Sequence, residues 1–206
     1  MKSDREYRAF EVRANEEMRV TGYATTFNES YTLYDDGEYE IREVIDEGAF
    51  DNCDMSDVIM QYNHEGRVFA RLSNGTLNLS VDKPNGLLIN ADLNGTDLGR
   101  QVYEEIKGGY TDKMSMGFKV DRSADVWTRE NLDGKIRETR TINRITKLYD
   151  VSAVSIPANP GTSIEARSID TLVNGVIDEL RAERLENERL ELERRRIEIK
   201  ARIMED

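Results

Sequence analysis

A mainly β fold with helices, of the α+β class, is predicted for this chain by three observations. Short runs of β-branched and aromatic residues recur through residues 19–156, each closed by Gly, Pro, Asn or Asp. One amphipathic helical pattern interrupts them, and from about Ser163 a Glu/Arg-rich pattern with helical spacing takes over. Strands this short and tightly turned build a barrel or a sandwich decorated by helices.

Taken in order, residues 1–15 are highly charged, with Tyr7, Phe10 and Val12 as apolar anchors, and read as a frayed lead-in or a short edge strand. Arg19 to Phe27 is a strand ending at the turn formers Asn28 and Ser30. After a turn at Asp35-Asp36-Gly37, Glu38 to Ile45 is a second strand, with Tyr39, Ile41 and Ile45 in phase and Glu43 interrupting them. Asp46 to Asp51 suggests a tight turn leading into one or two helical turns. Val58 to His64 is the next strand, which places the sole histidine where a scaffold meets a loop.

Arg67 to Arg71 continues extended, and Thr76 to Asp82 and Leu87 to Leu93 form a hairpin around Pro84-Asn85-Gly86. Thr96-Asp97 caps a helix from about Leu98 to Lys107, with Leu98, Val102 and Ile106 on one face and Gly108-Gly109 as its stop. In Thr111 to Val120, Met114, Met116, Phe118 and Val120 share one face, and Ser115, Gly117 and Lys119 share the other. Two polar strands follow around Asp133-Gly134, from Val126 to Asn131 and from Lys135 to Ile145. Leu148 to Ile156 is an apolar strand closed by Pro157-Ala158-Asn159-Pro160-Gly161. Beyond it Ile169, Leu172, Val173, Val176, Ile177 and Leu180 keep a helical stripe that thins as charge rises, as in an exposed helix that is solvated or serves as an interaction tail.

Charge and composition narrow the chemistry. A net charge of −12 and a pI near 4.7 disfavour binding to nucleic acid or an anionic membrane, leaving only a local basic patch for such contacts. With 34% charged residues and a mean hydropathy of −0.67, one domain plus a polar appendage is expected. The N-terminal residues carry no apolar signal segment, and no apolar run approaches the ~20 residues of a membrane span, so a soluble intracellular protein is expected. Cys53 and His64 are the single members of their types, which excludes an intramolecular disulfide and a thiolate–imidazole zinc site. Asp35-Asp36-Gly37 does not continue into an EF-hand loop. No metal and no cofactor are expected.

An imidazole-dependent hydrolase built from this chain must use His64. Two nucleophiles then compete. Cys53 lies between Asn52 and Asp54, and acidic neighbours disfavour its thiolate, whereas Ser115 loses its proton during attack and has no such handicap. A polar residue on a half-buried strand accounts for Ser115 as well, and a packed or surface residue accounts for His64.

Five segments carry a resemblance: Gly22-Tyr23-Ala24-Thr25-Thr26-Phe27, the run Glu43 to Phe50, Asn63-His64-Glu65, Met114-Ser115-Met116-Gly117-Phe118, and Leu148 to Pro160. In this order they resemble the prohead maturation proteases of tailed bacteriophages, relatives of the herpesvirus assemblins. The resemblance implies a serine endopeptidase domain over residues 1–165, an assemblin-like β-barrel flanked by helices, followed by a charged helical tail over 166–206. It implies Ser115 as nucleophile, His64 as general base and Asp150 as the acid. Many relatives carry glutamate at the last position, so this aspartate is a shorter arm; Asp112 and Glu65 are the fallback acids. The oxyanion donors fall to backbone N–H groups, with 158–161 as one guess.

The family role is cleavage of scaffolding segments from capsid proteins, usually with self-cleavage. It implies the major capsid protein with its scaffolding segment as partner, a homodimer, no nucleic acid or membrane partner, and action in the host cytoplasm inside the immature procapsid. The tail would dock the protease into the shell or be removed by it. Two readings compete: a noncatalytic capsid assembly or scaffolding protein, and a hydrolase using an acidic dyad.

Overall fold

The computed structural model describes residues 6–14, 17–132, 134–154 and 166–205. Two compact units divide the chain at Ile169/Asp170. The first unit carries twelve named strands in two sheets. In chain order these are β1 (Glu6–Ala14), β2 (Arg19–Thr26), β3 (Tyr31–Asp35), β4 (Tyr39–Ile45), β5 (Ile59–Tyr62), β6 (Glu65–Arg71), β7 (Leu77–Asp82), β8 (Gly86–Asp92), β9 (Lys113–Val120), β10 (Val126–Leu132), β11 (Lys135–Ile142) and β12 (Ile145–Val154).

The larger sheet runs β6-β5-β12-β9-β1-β2-β8-β7. Its two ends are consecutive in sequence, and Arg71 at the end of β6 donates its N–H to Thr76 Oγ1 just before β7. The five residues that link β6 to β7 cannot cross the width of a flat eight-stranded sheet, whose neighbours lie ~4.8 Å apart, so the sheet curls until its edges approach. No ladder joins β6 to β7 among the described residues. The expected barrel is therefore not found closed: the sheet curves but lacks the closing ladder. The smaller sheet, β10-β11-β4-β3, pairs β11 with β4 in parallel.

Three elements differ from the sequence reading. β1 is an interior strand, hydrogen-bonded to β9 on one side and β2 on the other. Tyr31–Asp35, to which the sequence reading assigned no element, is a strand paired with β4. Residues 46–53 form successive turns, with the Ala49 N–H donating to Asp46 O and the Asp51 N–H to Gly48 O, rather than helical turns.

Helix α1 (Asp97–Lys107) starts as expected, with Thr96 accepting the Gly99 N–H at 2.9 Å. It buries Val102, Tyr103 and Ile106 in the same cluster as Met60, Met114, Met116, Phe118, Leu148 and Val151. In the smaller sheet Glu43 is buried as an ion pair with Arg140, which is why it interrupts an apolar face without disrupting it. The second unit holds most of helix α2 (Ala166–Glu205), whose Leu185, Leu190, Leu192, Ile197 and Ile199 are exposed. Exposed Arg184–Glu188 and Arg189–Glu193 pairs support its outer turns at i,i+4 spacing.

Candidate active site

β9 is not half-buried. It lies between β12 and β1, and residues 114–118 are buried on both faces. Met114, Met116 and Phe118 enter the core, while Ser115 and Gly117 point to the other side of the sheet. Ser115 is 0% exposed, and its Oγ has no hydrogen-bond partner among the described residues. An interior position, with a covered second face, replaces the half-buried strand that simple alternation suggested.

A β-bulge decides what faces Ser115. On β12 the register runs Leu148↔Phe118, then Asp150↔Gly117, Val151↔Met116 and Ser152↔Ser115, leaving Tyr149 as the extra residue. Were Tyr149 paired with Gly117 in regular register, Asp150 would pair with Met116 and point into the core beside Leu148. One inserted residue inverts the phase. Asp150 and Ser152 thereby join Ser115 on one face, and Gly117, with no side chain, stands directly across from the Asp150 carboxylate.

The histidine arrives from the neighbouring strand. β5 pairs in parallel with β12, with Ile59 opposite Asp150 and Gln61 opposite Ser152. Asn63 and His64 are the two linking residues of the β5–β6 hairpin, with φ of 49° and 61°. A positive φ at both central positions is what a type I′ hairpin turn requires, and asparagine suits the first of them. Glycine is usual at the second. A histidine held there carries a strain of order 1 kcal/mol, a cost found mostly where a side chain's direction matters. The Asn63 N–H donates to Ala153 O at 2.9 Å, pinning the turn against β12.

So held, His64 Nδ1 lies 2.6 Å from Asp150 Oδ1, with the two side chains 6% and 1% exposed. A carboxylate only accepts, so Nδ1 carries the proton and the buried Nε2 is left with the basic lone pair. Ser152 Oγ donates to the same Asp150 oxygen at 2.8 Å.

The structure thus joins His64 to Asp150 and sets Ser115 on the same sheet face, two rungs from the acid. The fallback carboxylates lie elsewhere: Asp112 is 62% exposed and 3.6 Å from Lys113, and Glu65 is exposed at the start of β6. Residues 158–161 lie outside the described residues. Cys53 is a poor nucleophile here, because burial, aided by the Asp54 charge and only partly opposed by the Leu148 N–H and Lys147, pushes its thiol up to about 11. Among the described residues no group of three or more His, Cys, Asp or Glu side chains could hold a metal ion, and no helix is long and apolar enough to cross a membrane.

Sequence reasoning missed Ser152 and Gln61. Ser152 carried a legible signal, since it stands two residues from Asp150 in an otherwise apolar strand. Gln61 gave less, being one polar residue between Met60 and Tyr62.

A family model described as caudovirus prohead serine protease matches residues 5–174. No curated protein and no solved structure gave a match.

Proposed function

The chain belongs to the caudovirus prohead serine protease family, whose role is capsid maturation, and we propose that it cleaves scaffolding segments of the major capsid protein with a Ser115–His64–Asp150 triad. One observation carries the assignment of residues: the 2.6 Å contact between His64 Nδ1 and Asp150 Oδ1, on the face of the sheet that Ser115 occupies.

In the reaction, His64 Nε2 accepts the Ser115 hydroxyl proton as Oγ attacks the scissile carbonyl. The imidazolium that forms is stabilised by Asp150, which also holds Nδ1–H in the productive tautomer. Collapse of the tetrahedral intermediate passes the proton to the leaving amine and leaves an acyl-enzyme. Water, activated by His64, then hydrolyses the ester and regenerates Ser115. Backbone N–H groups stabilise the oxyanion.

The protease acts on itself as well as on the capsid protein, as a homodimer inside the procapsid in the host cytoplasm. Residues 1–165 form the catalytic domain, and the helical segment from 166 to 206 docks it in the shell or is released by its own cleavage. The Glu/Arg character of α2 and its exposed leucines and isoleucines support a segment that gains a partner on assembly.

Coexpression with the cognate capsid protein, followed by intact mass over time, tests the proposal. Wild type is expected to remove discrete terminal segments from the capsid protein and from itself, and Ser115→Ala to leave both intact. Identical masses from both chains, under conditions where shells assemble, would favour a noncatalytic assembly protein. Capsid processing without loss of residues 166–206 would remove only self-cleavage.

A further inference from the structure

Asp150 needs more than a partner; it needs a fixed orientation. The torsion that rotates a carboxylate is broad and two-fold, so one hydrogen bond to His64 leaves the plane free to tilt and the two oxygens free to exchange. We propose that Ser152 is the positioning residue that fixes this carboxylate, locking Oδ1 toward His64. The inference rests on the triad reading above.

Four observations support it. Ser152 Oγ donates to Asp150 Oδ1 at 2.8 Å, the same oxygen that His64 Nδ1 meets at 2.6 Å. Both bonds fall on one oxygen, while Oδ2 is buried with no hydrogen-bond partner among the described residues, so the contacts on Oδ1 set the orientation. Ser152 is wholly buried, so water does not replace its hydroxyl readily when it is lost. Its backbone lies on the rung of Ser115 and of Gln61, between the nucleophile's strand and the strand that delivers His64.

The same geometry separates the two serines of this face. Ser152 has spent its only proton on Asp150, and its oxygen is held toward the acid. Ser115 has no such commitment among the described residues. Ser152 therefore acts through Asp150 and does not compete as a nucleophile.

The test uses the full chain with three substitutions. Ser152→Ala deletes the hydroxyl, Ser152→Thr keeps it, and Ser152→Val has the shape of threonine without the hydroxyl. Two readouts are taken: the rate at which a fluorophosphonate labels Ser115, and the Nδ1–H resonance of ¹⁵N-labelled histidine, which has a single source because the chain has one histidine. Ser152→Thr is expected to keep the labelling rate within a few-fold and to keep the wild-type resonance. Ser152→Ala and Ser152→Val are expected to label about tenfold or more slowly, with the Nδ1–H signal moved or broadened by exchange.

Equal behaviour of the Thr and Val variants in both readouts would overturn the proposal, as would a wild-type rate and resonance in Ser152→Ala. Should Ser152→Ala fail to fold, the Thr and Val pair decides. If wild type itself is not labelled at Ser115, the nucleophile assignment fails, and the resonance alone then decides whether Ser152 orders the Asp150–His64 pair.

Discussion

His64 Nδ1 and Asp150 Oδ1 stand 2.6 Å apart although the residues are 86 positions apart in the chain, one in the β5–β6 turn and the other on β12. Two local departures from regular structure create the contact: the positive-φ turn that aims His64, and the bulge at Tyr149 that turns Asp150 out of the core. Asp150→Asn keeps the shape of the side chain but offers an amide where the imidazole needs an acceptor. Once its carbonyl or NH₂ faces Nδ1, the histidine tautomer is no longer enforced, and no charge balances the imidazolium. A fall in kcat of about 10⁴-fold is expected, the loss seen for the equivalent change in other triad enzymes. Capsid-protein cleavage rates, with circular dichroism to confirm folding, check it; retention of a tenth or more of the wild-type rate would exclude Asp150 as the acid.

Cys53 offers the opposite case, a nucleophile that its environment has silenced. With its thiol raised to about 11, only about one molecule in a thousand carries the thiolate at pH 8. Iodoacetamide should alkylate the folded chain at least a hundredfold more slowly than the urea-unfolded chain at that pH. Cys53→Ser should process capsid protein at the wild-type rate. Loss of processing in a folded Cys53→Ser chain would reopen the choice between the two nucleophiles.

How far the sequence reached follows from the same departures. Most strands and α1 were legible because their signals are local: alternation, the Pro84-Asn85-Gly86 turn, the Thr96 cap. β1 was not, because an interior strand with charged residues resembles an edge strand until its two neighbours are known, and those neighbours, β2 and β9, include one a hundred residues away. Ser115 and His64 were candidates by elimination, since the chain has one histidine and Cys53 has acidic neighbours, while Asp150 was reached through resemblance alone. Alternation by twos would have sent Asp150 into the core with Leu148, and His64 onto the face of Tyr62. A bulge and a positive-φ turn each change direction within one residue, and neither has a distinctive composition here beyond Asn63. The buried ion pairs of the smaller sheet were hidden for a different reason, since Glu43 reads as an interruption until Arg140, on β11, is placed beside it.

That pair makes a stability prediction. Arg140 is 1% exposed; its Nη1 donates to Glu43 Oε2 at 2.9 Å and its Nε to Asp125 Oδ2 at 2.8 Å. Tyr31 adds a short hydroxyl contact to Glu43. Arg140→Met fits the volume but strands two carboxylates in a site with little water. A loss of about 3–5 kcal/mol is expected from breaking one side of a buried pair. Urea unfolding measures it. A loss below about 1 kcal/mol would mean that the cluster adds little beyond packing.

Glu40 gives the same sheet a pH-dependent contribution to stability at the acid end. Burial alone would raise its carboxyl, but the hydrogen bonds from Arg42 at 2.6 Å, Arg137 at 2.9 Å and Lys135 outweigh burial and hold it down to about 2. In the unfolded chain the same carboxyl titrates near its ordinary value of about 4.3. Because the folded value is the lower one, the unfolded state binds the proton first as pH falls. The stabilisation is complete above the unfolded value and is lost as pH drops through the interval toward 2. Wild type should therefore lose stability more steeply than Glu40→Gln between pH 5 and pH 2, although Glu40→Gln is the less stable chain at pH 7. Urea midpoints taken at half-unit steps of pH compare the two slopes; parallel curves would show that the three cations do not hold Glu40 ionised.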